Sequence, residues 1–408
     1  MRKPKSLPCG SSKYVLYLSN LLLYGFTGMY YCFISLYLNK IHSYAVAGVL
    51  LAIPQAVAIF APLFWGKRAD RARYKKTVLL IMMLGATVCY CAVPFSNRFV
   101  WLAIALALTM FFLSAIGSIL DVIGMEVANR EGTKYGPMRL MGMLGYGFVA
   151  FGLSFFIGDR LDTVFISSAV LGFVCCICIG FMPGVKGYAT QGLPRENKAK
   201  EPDAKWSALF GYKSLFLLIA ILATAQFAYG YYLNFFPTYL TDELGAPTFL
   251  WGTNVLITTL SEMPIYFCLD SVFKRFGMKK ILPIVSIGTV VRYFLLAISK
   301  DFIGILSIAA FTGMFNVVLL YSIQFFVIEI IHPALRARAQ TLVYAVGISV
   351  PRMLAGVLGA RMTESLGTSA SLSICALTTL LGPMLTLVFI LFDKPSATAH
   401  KKPPSEPS

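Results

Sequence analysis

The chain has 408 residues, of which 58% are hydrophobic and 13% are charged. This apolar composition excludes an ordinary soluble protein and indicates a chain that crosses a membrane several times. The formal net charge of +17 would suggest nucleic-acid binding in a soluble protein, but in a membrane protein basic residues set the orientation of the chain. We therefore predict a lipid bilayer as the surroundings and no nucleic-acid partner.

Twelve apolar runs are long enough to cross a hydrocarbon core about 30 Å thick. The predicted spans are 14–38, 44–65, 77–94, 99–128, 136–157, 163–183, 213–240, 247–272, 281–298, 302–330, 337–360 and 369–392. No small-residue cleavage pattern follows the basic start of the chain, so we expect the first span to be retained.

The distribution of basic residues predicts the orientation of these spans. With the N-terminus inside, 28 of the 35 Lys and Arg residues fall in cytoplasmic segments and five fall in outer loops. An excess of Lys and Arg over the outer loops is typical of cytoplasmic loops in membrane proteins. We therefore predict a multi-pass protein of the plasma membrane, or of the inner membrane in a bacterium, with both termini cytoplasmic.

One long polar segment divides the chain into two halves. Residues 184–206 are rich in Gly, Pro, Lys and acidic residues and cannot bury a core. A shift of 202 residues aligns seven identical residues, including Gly28 with Gly230 and Tyr30 with Tyr232. Parallel six-helix repeats of this kind surround a site near the bilayer midplane. We predict an all-α membrane protein of two pseudo-symmetric six-helix bundles, with a bundle at 1–183, a cytoplasmic linker at 184–212, a bundle at 213–392 and a disordered cytoplasmic tail at 393–408.

An acid and a base lie inside a predicted helical hairpin of the first half. Asp121 is one or two turns inside the fourth span, and Arg139 begins the fifth. A charge near the bilayer centre costs about 2.5–3.5 kcal/mol on insertion scales, so such residues are functional candidates that need a partner. We predict that Asp121 and Arg139 pair and offer donors and acceptors to a polar ligand. A purely structural clamp between the two helices is the alternative.

Charged residues also lie within predicted spans of the second half. At 1.5 Å per residue, Arg292 is about 18 Å and Glu262 about 15 Å from the cytoplasmic ends of their spans. We predict that they pair, and that the carboxylate exchanges a proton when the arginine moves away. A static salt bridge is the alternative. Arg352, after Pro351, is deep enough to need a partner and is a further candidate for substrate binding.

The loop after the second span reads GKRADRARYKK, from Gly66 to Lys76. With Gly66, Asp70, Arg71 and Lys75, it resembles the signature of the major facilitator superfamily between the second and third helices. The resemblance implies close helix approach at the glycine and a cytoplasmic charge network that breaks and reforms during transport. An orientation signal alone is the alternative, but it would not require the adjacent acid and base of Asp70 and Arg71.

Within that superfamily, the chain resembles the lactose permease and the phenylpropionate permease-like group over nearly its whole length. The sharpest match is YGPMRLMGMLGY, from Tyr135 to Tyr146, with Asp121 lying 18 residues before Arg139. The resemblance implies that Asp121 and Arg139 bind substrate hydroxyls and that Tyr146 stacks on the substrate ring.

The same resemblance implies a role in proton coupling for Arg292. The coupling His and Glu of the permease fall here at Thr312 and Phe315, so any proton relay must differ. The assignment of Glu262 therefore rests on its depth and type.

No catalytic, metal or nucleotide motif is present in the sequence. All but one of the nine cysteines lie in apolar spans, and no zinc spacing, phosphate loop or Ser-His-Asp arrangement occurs. We predict no enzyme activity, cofactor or metal, and a monomer. The predicted function is secondary active transport of a small polar or anionic organic solute (a sugar, nucleoside or aromatic acid) by proton symport. An exporter of amphipathic compounds and a non-transporting receptor or scaffold on the same fold are the alternatives.

Overall fold

The computed structural model describes residues 11–133, 135–157, 160–187 and 206–392. These residues form α-helices and short 3₁₀ or π turns, and they contain no strand. The helices of the first half are α1 (Ser11–Ile41), α2 (Tyr44–Arg71), α3 (Lys75–Cys91), α4 (Phe99–Leu113), α5 (Ile116–Glu131), α6 (Gly136–Ile157) and α7 (Thr163–Phe181). Those of the second half are α8 (Lys213–Thr238), α9 (Thr248–Phe276), α10 (Met278–Ile298), α11 (Phe302–Glu329), α12 (Pro333–Leu342), α13 (Val350–Leu366), α14 (Thr368–Thr379) and α15 (Leu381–Phe392).

In the described part of the chain, twelve helical segments are long and apolar enough to cross a membrane, as the sequence predicts. Three of these spans are interrupted within their length, and two others end in a turn that is not α-helical, at Val93–Phe95 and at Tyr239–Glu243. The fourth is broken between α4 and α5, the eleventh passes from α12 to α13 through a π-helical stretch, and the twelfth is broken between α14 and α15. The predicted tail at 393–408 and residues 188–205 of the predicted linker lie outside the described residues.

The start of the predicted linker is ordered against the signature loop. The Lys75 backbone N–H donates to the carbonyl of Val185, at 2.8 Å, and the Gly187 N–H donates to the carbonyl of Ala72, at 3.1 Å. Lys76 Nζ donates to the carbonyl of Met182, at 2.8 Å, and so satisfies the free end of α7. The first residues after α7 are therefore part of the predicted cytoplasmic surface of the first bundle.

Glycines allow α1 and α6 to pack with their backbones in contact. A Cβ atom at Gly145 would lie 2.0 Å from the carbonyl oxygen of Leu21, and one at Gly28 would lie 2.8 Å from that of Tyr146. Neither position could carry a side chain without a backbone shift. This packing fixes the beginning of α6, with Arg139, and its middle, with Tyr146, against the first helix.

The two bundles are joined at the predicted extracellular face, which carries the turn between α1 and α2. Asn39 Nδ2 donates to the carbonyl of Asn234, at 2.8 Å, and to Thr238 Oγ1, at 3.0 Å. Gly48 of α2 meets Gly356 of α13 so closely that a Cβ at Gly48 would lie 2.3 Å from the Gly356 oxygen. These contacts close the structure at this face.

Residues nearer the opposite, predicted cytoplasmic face are more accessible. Tyr266 of α9, for example, is 43% exposed although it lies within a predicted span and lines the space between the bundles. The molecule is therefore closed at the predicted extracellular face and open toward the predicted cytoplasmic face.

Candidate functional site

A cavity of about 210 Å³ lies between the bundles, below the closed face. Helices α1 and α6 of the first bundle and α8 and α9 of the second contribute its walls. Its lining consists of Tyr24, Arg139, Met143, Tyr146, Tyr229, Tyr232, Leu233, Trp251, Asn254, Val255, Thr258, Thr259, Glu262 and Tyr266. The cavity thus combines six aromatic side chains with two charged groups and a few amide or hydroxyl groups.

The aromatic wall from the second bundle is held in place by hydrogen bonds. The Tyr232 hydroxyl donates to the side-chain carbonyl of Asn254. Trp251 Nε1 donates to the carbonyl of Cys32 in the first bundle, at 2.8 Å, and the Tyr232 and Trp251 rings meet edge to face at 5.7 Å. Such contacts restrict the rotamers of these rings, so the wall is formed before a ligand binds.

The structure brings Asp121 and Arg139 together. Arg139 Nη1 lies 3.1 Å from Asp121 Oδ2, and it also donates to the hydroxyl of Tyr24. The guanidinium stands over the Tyr24 ring, with 4.9 Å between the guanidinium carbon and the ring centroid. The Tyr135 hydroxyl donates to Asp121 Oδ1 at 2.5 Å. Burial raises the pKa of the Tyr135 hydroxyl, and the Asp121 carboxylate raises it further, so the phenol stays a donor at neutral pH.

Of this pair, only Arg139 lines the cavity. Asp121 contacts Arg139 on the side away from the cavity. The carboxylate therefore holds the arginine in position and compensates its charge. The sequence had suggested that both residues bind the ligand. Spacing along the chain predicts that two side chains are close together, but it does not show which of them faces the cavity.

Glu262 lines the cavity but does not form the predicted pair with Arg292. Among the described residues, no salt bridge joins Glu262 to a basic side chain. The reason is the rotation of each helix about its own axis. Helix α9 presents Glu262 to the cavity, whereas α10 packs mainly on α11 and α14 and presents Arg292 to the interior of the second bundle. Equal depth in the membrane therefore did not place these two side chains in contact.

Arg292 is enclosed by tyrosine rings instead of an acid. The residue is 3% exposed, and its Nε and Nη2 atoms have no hydrogen-bond partner among the described residues. The guanidinium carbon lies 4.1 Å from the ring centroid of Tyr293, 5.5 Å from that of Tyr232 and 6.0 Å from that of Tyr229. Cation–π attraction to these rings offsets part of the cost of burying the charge.

Arg352 lies in a separate space, toward the closed face. Its Nε and Nη2 atoms donate to Gln226 Oε1, at 2.9 and 2.6 Å, and its guanidinium stands 5.1 Å from the centroid of the Tyr229 ring. It lines a small cavity of about 30 Å³ with Gln55 and Asn234, among others. The structure therefore does not place Arg352 in the cavity that contains Arg139 and Glu262.

Tyr146 lines the main cavity opposite the second bundle, and the stacking on a substrate ring that the resemblance implied for it stays a prediction. The Cys32 thiol lies 3.9 Å from its hydroxyl, within the range of a weak hydrogen bond to sulfur. Its backbone is fixed by the close approach to Gly28 described above. The ring is thus held rigidly at the wall of the cavity.

The signature-loop residues fall into two groups. Lys75 is buried and lies 3.3 Å from Glu126 Oε2, and Glu126 also bonds Arg130 Nη2 at 2.7 Å. Asp70 and Arg71, by contrast, are exposed and form no salt bridge with another described residue. Of the signature-loop candidates, Lys75 thus forms a salt bridge in this conformation, whereas a charge network through Asp70 and Arg71 stays a prediction.

Gly66 differs from the expectation for this loop. It lies within α2, and a Cβ placed on it would meet nothing within 4 Å. The close helix approach expected at this glycine is thus absent in this conformation. The close approaches involve Gly28, Gly48 and Gly145 instead.

Tyr24 was not among the site residues predicted from the sequence, although a signal for it was present. Adding the 202-residue repeat to Tyr24 gives Gln226. Tyr24 holds Arg139 in the first bundle, and Gln226 holds Arg352 in the second. Equivalent positions of the repeat therefore support an arginine in each half. Trp251, Asn254 and Tyr266 gave no such signal, because isolated aromatic and amide residues are common in spans.

A partly polar cavity between two helical repeats, closed at one membrane face and open at the other, defines a membrane transporter. The sequence profile described as the MFS_1 like family matches residues 14–370. The chain therefore belongs to this family of major facilitator transporters.

Individual relatives are distant. The chain is 23% identical over 261 residues to the uncharacterized transporter YwbF of Bacillus subtilis (strain 168), and the match covers 63% of each protein. It is 23% identical over 254 residues to the maltose permease of Geobacillus stearothermophilus, covering 61% of each. The chain thus spans less than two thirds of the length of these relatives.

Solved structures agree in fold over almost the whole chain. A point mutant of the nucleoside transporter NupG superposes with a TM-score of 0.81, covering 94% of this chain and 100% of NupG, at 17% identity. A bacterial homologue of the lysosomal transporter Spinster, in an inward-facing and unoccupied conformation, gives 0.69, covering 95% and 98%, at 13% identity. At such identities the likeness shows the fold alone.

Proposed function

We propose that the protein is a proton-coupled secondary active transporter of an uncharged, ring-containing polar solute of the nucleoside class. The observation that carries the proposal is the cavity between the bundles, in which aromatic walls surround one carboxylate, Glu262, that forms no salt bridge with a described residue. The three solute classes predicted from the sequence were a sugar, a nucleoside and an aromatic acid.

The charges of the lining argue against an acidic solute. The positive charge of Arg139 is compensated by Asp121 at 3.1 Å, whereas no described basic side chain forms a salt bridge with the carboxylate of Glu262. Arg292 is screened from the cavity by tyrosine rings, and Arg352 lines a different space. A solute carboxylate would therefore find no uncompensated positive charge to pair with in a low-dielectric site, and burying an unpaired carboxylate costs free energy.

The remaining groups suit a solute with a flat ring and hydroxyl groups. Stacking of a base on an aromatic side chain contributes about 1–3 kcal/mol, and it needs only a free ring face. Tyr146 from one bundle and Tyr229 from the other lie on the walls. Asn254 Nδ2, which has no hydrogen-bond partner among the described residues, can donate to a solute hydroxyl group, as can the guanidinium of Arg139, and the Thr258 oxygen can accept. A ring with a hydroxylated sugar would use both kinds of group.

The comparisons support this choice without deciding it. NupG is described as a nucleoside transporter, and its structure superposes on 94% of the present chain. One of the sequence relatives is described as a maltose permease. Transport of a sugar is therefore the competing outcome of the test below.

Proton coupling follows from the chemistry of Glu262. A carboxylate in a desolvated site stays charged only with a partner, and it otherwise takes up a proton. Arginine side chains cannot release protons at physiological pH, so Glu262 is the titratable cavity group that can carry one. The protein would bind proton and solute from one side, close over them and release both on the other.

The topology and assembly complete the proposal. We place both termini and the signature loop in the cytoplasm, in the plasma membrane or a bacterial inner membrane, because most of the basic residues lie at that face. We also propose a division into bundles at 1–183 and 213–392 around the 184–212 linker, with function as a monomer. One cavity between two bundles of the same chain needs no second copy.

The test is uptake of labelled uridine by proteoliposomes under an imposed inward proton gradient. Unlabelled adenosine should inhibit uptake, whereas maltose and an aromatic acid should not. Tyr146→Leu should raise the half-saturating concentration about 5–150-fold, which corresponds to the 1–3 kcal/mol of a lost stacking contact. Tyr14→Leu, at a site 64% exposed and outside the cavity, is the matched control. Inhibition by maltose alone would replace the nucleoside assignment with a sugar.

A further inference from the structure

A long apolar groove runs along the outside of the second bundle, away from the transport cavity. Helices α9 and α10 are joined at Gly277, which has a φ of 74°, and each packs far more extensively on α11 than on the other. Both helices pack on α11, which forms the floor of the groove. The resulting space has a volume of about 630 Å³.

The lining of this groove is apolar from end to end, with one exception. Leu269 and Ile284 belong to its walls, and Met314 and Phe315 to its floor. Ile284 is 66% exposed although it lies in a span, so the groove opens toward the surrounding hydrocarbon and not toward water. A space of this kind in a membrane is filled by hydrocarbon chains.

The exception is Lys280, which lines the groove at its cytoplasmic end and is exposed. It belongs to a basic turn in which Lys274, Arg275, Lys279 and Lys280 lie within seven residues. The guanidinium of Arg275 stands over the ring of Phe276, a lining residue, at 5.4 Å from the ring centroid. This contact keeps the guanidinium close to the cytoplasmic end of the groove. Basic pockets between spans at the cytoplasmic face are typical sites for anionic lipid headgroups.

We propose that this groove is a binding site for one anionic phospholipid. One acyl chain lies between α9 and α10 on the floor formed by α11, and the lipid phosphate contacts the ammonium of Lys280. The occupant is a lipid because the groove is apolar along its length and basic only where it reaches the headgroup level. This inference is independent of the solute that the transporter carries.

The headgroup, and not the chain, determines the selectivity of such a site. Burying an acyl chain in the groove exchanges one apolar environment for another, so the hydrophobic effect contributes little. A basic side chain near the membrane surface favours an anionic lipid by about 1 kcal/mol, which corresponds to a preference of about five-fold. Removal of Lys280 should abolish this preference, whereas a large side chain on the floor should exclude the chain of any lipid.

The experiment is native mass spectrometry of the purified full-length protein with equal amounts of phosphatidylglycerol and phosphatidylcholine of identical chains. The parent protein and Lys280→Arg should retain phosphatidylglycerol about five-fold in excess. Lys280→Ala should retain the two lipids equally, and Met314→Trp should retain neither. Lys213→Ala, which removes an exposed lysine at the same face outside the groove, should behave as the parent.

Equal retention of both lipids by the parent, or unchanged selectivity in Lys280→Ala, would overturn the proposal. Displacement of bound lipid by uncharged amphipathic compounds, with no dependence on Lys280, would assign the groove to such compounds instead. Thermal unfolding of each variant in detergent identifies any loss of retention caused by misfolding. If Met314→Trp does not fold, Ile284→Trp replaces it, because a large side chain on the wall of the groove should also exclude the acyl chain.

Discussion

Replacing Gly48 should shift the transporter toward a conformation open at the predicted extracellular face. A Cβ at this position would lie 2.3 Å from the carbonyl oxygen of Gly356 and 2.4 Å from the Cβ of Ala360. Both atoms belong to the other bundle, so separation of the bundles relieves the overlap. Overpacking of this kind costs about 1–3 kcal/mol. Gly48→Leu should therefore favour the outward-open state about 5–150-fold.

Thiol labelling from outside the cell measures this shift. A cysteine introduced at Val255, a buried residue of the cavity wall, should react slowly with a membrane-impermeant maleimide in the parent background and much faster when Gly48→Leu is added. Gly152→Leu is the matched control, because a Cβ at Gly152 meets nothing within 4 Å. The protein without the introduced cysteine gives the background. Equal labelling rates with and without Gly48→Leu would refute the closed interface inferred here.

Four further predictions concern the charged residues and one of their hydrogen-bond partners. Asp121→Asn should raise the half-saturating solute concentration in uptake assays, at a cost of about 1–3 kcal/mol, between the values for exposed and buried pairs. Tyr135→Phe should weaken uptake less and leave its pH profile unchanged, since the raised pKa of this phenol keeps it protonated in both acidic and neutral solution; an altered profile would contradict this. Arg292→Met should change the thermal unfolding temperature little, because two effects offset each other. The substitution removes the cost of burying a charge that has no described acidic partner, and it also removes the stabilising contacts with the tyrosine rings. A large decrease in unfolding temperature would show an anionic partner for Arg292. Asp70→Asn should slow uptake with little change in equilibrium solute binding, since Asp70 is exposed and forms no salt bridge with a described residue in the open state; a large loss of binding would exclude a gating role.

The spans could be predicted from hydrophobicity, but only some of the breaks within them could be predicted from the sequence. The twelfth span breaks at Leu380, just before Gly382 and Pro383, and this pair is a recognisable helix-breaking signal. The fourth breaks at Ser114, where the sequence offers no proline, and Gly117 alone does not distinguish this position from the glycines inside uninterrupted spans. Such a break depends on packing against other helices, which a single sequence does not report.

The candidate site shows the same limit. Spacing predicted that Asp121 lies near Arg139, because the two residues are joined by a short hairpin. It could not predict that Glu262 and Arg292 face different directions, since depth in the membrane leaves the rotation of each helix undetermined. Faces of helices are set by tertiary packing, and the glycine contacts of α1 and α6 are an example.

The most direct test of the account is labelled-uridine transport by Glu262→Gln in membrane vesicles, with Glu329→Gln, at an exposed position outside the cavity, as the control. The glutamine resembles a permanently protonated Glu262, so accumulation against a gradient should be abolished, because it requires protonation and deprotonation in each cycle. Exchange of labelled for unlabelled solute requires only reorientation of the loaded protein, and it should persist. Accumulation by Glu262→Gln equal to that of the parent protein would contradict the assignment of Glu262 as the proton-carrying group.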